Sequence, residues 1–198
     1  MNERIESIVA ASLEVKRSYF AEHASAVHQA ARMVADCFSA GGKLLLCGNG
    51  GSSADAQHIA GEFVNRFLPQ ERRALPAIAL STDGGVLTCI ANDTGFENVF
   101  ARQIEALGTR GDVCLAITTS GNSSNIIAAI EQARVKEMKV IGLLGRDGGR
   151  CASICDLALV VPSEDTQRIQ ETHNLIGHII CELVESLLFP LAETKKER

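Results

Sequence analysis

The chain has 198 residues, 46% of them hydrophobic, and a formal net charge of −5; that suffices for one substantial core and lacks the clustered Lys and Arg that duplex nucleic acid demands. No apolar run reaches the roughly 18 residues that span a bilayer, and the polar opening Met1-Asn2-Glu3-Arg4 is unlike a signal peptide. The expectation is a cytoplasmic protein with neither a nucleic-acid nor a membrane partner.

Ile5, Ile8, Val9, Ser12, Leu13 and Phe20 recur at helical spacing, and Val27, Ala30, Ala31, Val34, Cys37 and Phe38 repeat the pattern. This predicts two amphipathic helices, an N-terminal pair that packs either on its own domain or on a neighbouring copy. Ala40-Gly41-Gly42 ends the second. The apolar run over 43–47 then reads as a buried strand, and Gly48-Asn49-Gly50-Gly51 as a turn that needs unusual backbone angles. Ser52 and Ser53 are placed to cap a helix running from Ala54 towards Phe67. A strand, a glycine turn and a capped helix together make an anion site, because the free amides of the helix start point at whatever sits there. His58 and Glu62, four residues apart, project from one face of that helix and offer half of a metal or acid-base site.

From there the rhythm is strand, loop, helix. Strands are predicted over 77–80, 113–118, 139–144 and 157–161, with helices over about 96–107, 123–137 and 165–188. Apolar strands separated by helices imply a parallel sheet covered on both faces, with ligands beyond the carboxyl ends of its strands. A short apolar segment over 86–91 leads into a loop with Asn92-Asp93, which either caps the next helix or holds sugar hydroxyls; capping is the simpler role. Thr118-Thr119-Ser120-Gly121-Asn122-Ser123-Ser124 puts hydroxyls and a glycine at a helix N-terminus, a combination that can wrap a phosphate. Neither glycine turn has P-loop or dinucleotide spacing. Gly145 to Gly149 reads as an ordinary turn. The last helix carries Arg168, Gln170, Glu171, His173 and His178 among Ile169, Leu175, Ile176, Ile179, Ile180 and Leu183, so some of these polar groups face apolar surroundings. The seven cysteines are odd in number, without C-x-x-C spacing, and read as reduced core residues; Cys151 and Cys155 lack a second ligand pair for a metal.

Taken together, C-G-N-G-G-S, D-A-Q-H-x-x-x-E, I-A-N-D, T-S-G-N-S and R-I-Q-E-x-H-x-x-x-x-H, in this order over nearly the whole chain, resemble the sugar isomerase (SIS) domain of the phosphoheptose isomerase family. The resemblance implies a five-stranded parallel flavodoxin-like α/β sheet flanked by helices, with the N-terminal helical pair over 1–40, the SIS domain over 41–190 and a polar tail over 191–198. It also implies a homotetramer with active sites at subunit interfaces. The activity implied is aldose-ketose isomerisation of sedoheptulose 7-phosphate to D-glycero-D-manno-heptose 7-phosphate, the first step of ADP-heptose biosynthesis for lipopolysaccharide core or another surface glycan.

By position, the family's zinc ligands fall on His58, Glu62, Gln170 and His178. Its substrate contacts fall on Asn49, Gly50, Gly51, Ser52, Glu62, Asn92, Asp93, Thr118, Thr119, Ser120, Ser123 and Gln170. Glu62 is the candidate base and His178 the candidate acid. One departure is that the hydroxyl loop begins Thr-Thr-Ser where the family pattern has Ser-Thr-Ser, which adds a methyl group. Gln170 and His178 lie eight residues apart, about 12 Å along an unbroken helix. A common ion therefore needs unusual convergence, an irregularity near Gly177 or ligands from different subunits, and the last is the preferred reading. The alternatives are a replication-initiator-associating binding protein of the same fold and an isomerase of another sugar phosphate; retention of the whole catalytic set discriminates against the first.

Overall fold

The apolar runs form one five-stranded, wholly parallel sheet in the computed structural model, which describes residues 1–68 and 71–190. The tail over 191–198 lies outside the described residues. A long helix α1 (Asn2–Ser39) precedes β1 (Leu44–Gly48) and α2 (Gly51–Val64); β2 (Ala77–Ala79) and α3 (Gly84–Thr94) follow. A 3-10 turn (Phe96–Asn98) leads into α4 (Ala101–Leu107), β3 (Val113–Thr118), α5 (Ser124–Val135), β4 (Lys139–Gly145), the short α6 (Gly149–Ala152), β5 (Leu157–Val161) and α7 (Thr166–Leu188).

The strand order is β2-β1-β3-β4-β5, the flavodoxin-like order, whose switch point falls between β1 and β3. Chain direction away from the sheet reverses there, so the loops leaving these two strands border one crevice. Leu45, Cys47, Cys114 and Ala116 point into one core and Leu44, Leu46, Val113, Leu115 and Ile117 into the other, as the two-residue period of a strand requires. Residues of α1, α2 and α7 line the second of these cores; Ile104 of α4, Ile126 and Ile130 of α5 and Cys151 of α6 line the first.

Three local expectations are corrected. The N-terminal helical pair is a single 38-residue helix, because the stretch between the two apolar patterns, Ala21-Glu22-His23-Ala24-Ser25-Ala26, holds no Gly or Pro to break it. Its second half buries Val27, Ala30, Ala31, Val34 and Phe38, whereas Ile5, Ile8, Val9 and Leu13 are about half exposed at 48–57%. Asn92 and Asp93 sit in the last turn of α3, not in a loop, and cap nothing: the 86–91 segment and the two residues after it continue one helix that Asp83 starts by accepting from the Val86 amide. Finally, α2 begins at Gly51 with Gly50 as its N-cap, at φ 54°, and no side chain closes its first turn. Ser52 is buried beneath that turn, and Ser53 hydrogen-bonds Ser81 in the loop after β2 at 2.7 Å. The left-handed backbone angle is what demands glycine at position 50.

Candidate active site

The site lies along the seam between α2 and α7 and in the crevice above β1 and β3. The two helices run side by side, and Gly177, buried in the middle of α7, lets them approach: a Cβ there would stand 2.6 Å from the Ile59 side chain. Gly177 leaves α7 unbroken from Thr166 to Leu188. The seam pairs Gly51 with Gln170, Asp55 and His58 with Asn174, and His58 and Glu62 with His178. Gln170, Asn174 and His178 are spaced by four, so they share the face of α7 that looks at α2.

At the far end of this seam three donors converge. His58 Nε2 is 3.0 Å from Glu62 Oε1 and 3.4 Å from His178 Nε2, and the three ligand atoms lie within 4.8 Å of one another. Among the described residues no other group of three His, Cys, Asp or Glu side chains meets in this way. Ligand atoms bound to one tetrahedral ion at about 2.1 Å are about 3.4 Å apart, so the spacing and the two-imidazole, one-carboxylate donor set fit a divalent first-row cation. His58 keeps 44% of its side chain exposed and Glu62 24%, so this end of the seam is open to solute or to a second copy.

Gln170 does not join them within one chain. Its amide lies against Gly51, where any Cβ would collide with it, about two helical turns from His178. The structure thus brings His58, Glu62 and His178 together and leaves Gln170 beside the glycine turn.

The crevice itself is tied by a reciprocal amide pair. Asn49 donates to Asn125 Oδ1 at 2.9 Å and Asn125 donates back to Asn49 Oδ1 at 2.8 Å, which fixes the loop after β1 to the start of α5. The Thr118 hydroxyl lies 3.4 Å from that of Ser120 and 3.1 Å from that of Ser123, so three hydroxyls gather at one point. Ser123 is the N-cap of α5 but its side chain takes no capping bond. Two helices, α2 and α5, therefore present uncapped N-termini at the ends of adjacent strands, with hydroxyls around one of them. Such a cup suits a phosphate. Thr118 is 4% exposed, so its additional methyl group is absorbed in packing. Asn92 and Asp93 are exposed and bond to each other at 2.8 Å; among the described residues no hydrogen bond links them to this crevice.

Sequence reasoning missed four contributors. Asn174 lies 3.4 Å from His58 Nδ1 and 3.5 Å from Asp55 Oδ1; its place halfway between Gln170 and His178 was the available signal. Burial pushes the Asp55 carboxyl up from its usual range, against the opposing pull of the Asn174 amide and the two imidazoles. Asn125 carried no signal beyond its place at a helix start. Phe67 sets its ring 5.4 Å from the His178 ring. His173, expected not to be a ligand, is wholly buried; it hydrogen-bonds the Leu144 carbonyl at 2.9 Å, and burial takes its pKa down to about 4 with that bond opposing. The seven cysteines are all free, and six are at least partly buried.

Residues 9–145 match the SIS domain family. The phosphoheptose isomerase of Thermodesulfovibrio yellowstonii is 48% identical over 197 residues, covering 100% of this chain and 98% of its own. Among solved structures, the phosphoheptose isomerase of Francisella tularensis superposes with a TM-score of 0.90 at 41% identity, covering 93% of this chain and 97% of its own. That of Neisseria gonorrhoeae gives 0.88 at 43%, with 93% and 98% covered. Matches of this extent, across a fold and a donor set already described, place the chain: it belongs to the SIS domain family, among the phosphoheptose isomerases.

Proposed function

We propose that the chain interconverts sedoheptulose 7-phosphate and D-glycero-D-manno-heptose 7-phosphate. The observation that carries this reading is the meeting of Glu62 with His58 and His178 at one end of a seam whose other end opens on the hydroxyl cup, in a chain about half identical to named phosphoheptose isomerases. A replication-initiator-associating role is not favoured, since the three donors are kept together and the relatives are named as isomerases.

The phosphate docks at the hydroxyls of Thr118, Thr119, Ser120 and Ser123 and the open amides of α5, remote from the reacting carbons. Its binding energy registers the sugar against Glu62 and His178. Asn49, Gly50, Gly51, Ser52 and Gln170 border the sugar on the α2 side, and Asn92 and Asp93, exposed in the last turn of α3, are assigned to its hydroxyls in this reading. The Glu62 carboxylate removes a proton from C1 of the ketose, and the electrons of that C–H bond form the C1–C2 double bond of an enediol. His178 supplies the proton that the C2 oxygen takes up. In the second half Glu62 returns its proton to C2, and His178 takes the proton from the C1 oxygen as that oxygen becomes the aldehyde. Nothing is gained or lost overall. His58, Glu62 and His178 would hold the metal, zinc by the chemistry of the donors, with Gln170 contributed by another subunit. When bound it polarises the carbonyl and spreads the enediolate charge.

In this reading residues 1–40 serve assembly into a homotetramer and 41–190 carry the chemistry, in the cytoplasm, as the entry to ADP-heptose for lipopolysaccharide core or another surface glycan. The half-exposed apolar stripe of α1 supports assembly, and among the described residues no helix is long and apolar enough to cross a membrane. Incubating the protein with sedoheptulose 7-phosphate and resolving the sugar phosphates by chromatography tests the activity. The aldose heptose 7-phosphate is expected. Turnover of a hexose or pentose phosphate alone would overturn the substrate.

A further inference from the structure

Glu62 stands on the last turn of α2, two residues before the helix ends at Val64. Last turns fray, because their carbonyls have no partner within the helix. The usual remedies are missing here: the residue after the end, Asn65, is neither Gly nor left-handed, and the last turn holds no basic side chain. The Glu62 carbonyl is bonded instead by a guanidinium from outside the helix, and the Phe63 carbonyl by that guanidinium together with the Leu75 amide at 3.1 Å. Arg72 donates to the Glu62 carbonyl at 2.7 Å and to the Phe63 carbonyl at 2.9 Å.

Arg72 is in turn held by Glu185 on α7, through Nε to Oε1. Both side chains are essentially buried, at 1% and 2% exposure. Glu185 also accepts from the backbone amides of Phe67 at 2.9 Å and Leu68 at 3.0 Å. The Phe67 amide that Glu185 grips belongs to the residue whose ring rests against His178. One buried pair thus anchors both sides of the donor cluster: the backbone under Glu62 through Arg72, and the ring beside His178 through Glu185.

We infer that the Arg72–Glu185 pair is a positioning clamp that holds Glu62 and His178 at their mutual distance for metal binding and proton transfer. This inference rests on the proposed site. A buried ion pair is poor evidence for stability, since well-packed apolar residues often serve as well or better. What apolar residues cannot supply is direction, and here four hydrogen bonds of the pair hold the carbonyls of Glu62 and Phe63 and the amides of Phe67 and Leu68, while a fifth, from Arg72 to the adjacent Arg73 carbonyl at 2.9 Å, steadies the guanidinium itself. Neither residue of the pair touches substrate; both act through others.

The test uses full-length Arg72→Lys, which keeps the charge and loses the fork, and Glu185→Gln, which keeps the shape. Each is measured at a temperature where circular dichroism shows it folded, so that a mere loss of stability does not enter. Calorimetric titration with Zn2+ alone is expected to give an affinity about tenfold weaker than the parent's, and kcat is expected to fall by a similar factor with KM nearly unchanged. Phe67→Leu, at a partly exposed position, probes the same geometry without a buried defect and decides the matter if the other two do not fold; a loss of about threefold in Zn2+ affinity and kcat is expected. Parental Zn2+ affinity and kcat in the folded variants, or in Phe67→Leu if it alone folds, would overturn the clamp. Failure of the parent to isomerise the heptose would instead count against the proposed function, and the Zn2+ titrations would still judge the clamp.

Discussion

His178 and His173 stand five residues apart on one helix and are expected to fail in different ways. His178→Ala removes an imidazole from the donor cluster, so turnover is expected to drop by about 100-fold or more with thermal stability close to the parent's. His173 lies in the core under Leu144, so its replacement acts on the fold. Its pKa, about 4 when folded, is below the value of about 6.5 expected for the unfolded chain. The unfolded state therefore binds the proton first on acidification. The contribution of neutral His173 is full above pH 6.5 and is lost as the pH falls from 6.5 to 4, to the extent of about 3 kcal/mol. His173→Gln, which can still donate to Leu144, is expected to be less stable at neutral pH and to lose that part of the pH slope in urea melts. An unchanged slope would remove His173 as its source.

At the scale of elements, the seam between α2 and α7 is set by Gly177. Gly177→Ala pushes Ile59 away and is expected to cost about 1–3 kcal/mol of stability and to weaken Zn2+ binding, read by denaturant melts and calorimetry; parental values in both would mean that the seam is not tight. The strands and α7 were legible because their signals are local: apolar runs between glycine turns, and an amphipathic period opened by Asp165, which accepts from the Gln167 amide at 2.9 Å. His58 and Glu62 were legible by spacing. Local signals misjudged α3, since a short apolar segment ending in Asn-Asp reads as leading into a loop with a cap until the Asp83 cap shows where the helix starts. Asn125, Asp55 and Arg72 were out of reach because their partners lie 76, 119 and 113 positions away, and only the folded chain brings them together.

For the whole molecule, the apolar residues left uncovered on α1 give the assembly its test. Leu13→Glu places a charge in the stripe formed by Ile5, Ile8, Val9 and Leu13, where a neighbouring copy would have to bury it unpaired. The parent is expected to run as a tetramer in light scattering and the variant as a smaller species with reduced turnover; an unaltered, fully active tetramer would move the interface elsewhere. Underneath the assembly lies the claim that Glu62 carries the proton between neighbouring carbons of the sugar. Its most direct measurement is solvent exchange: sedoheptulose 7-phosphate is incubated in deuterium oxide with the parent and with Glu62→Gln, and the label at C1 of the ketose is followed by NMR. The account predicts deuterium at that carbon with the parent and, with a folded Glu62→Gln, a rate lower by at least about 100-fold. Exchange at the parental rate in Glu62→Gln would contradict it.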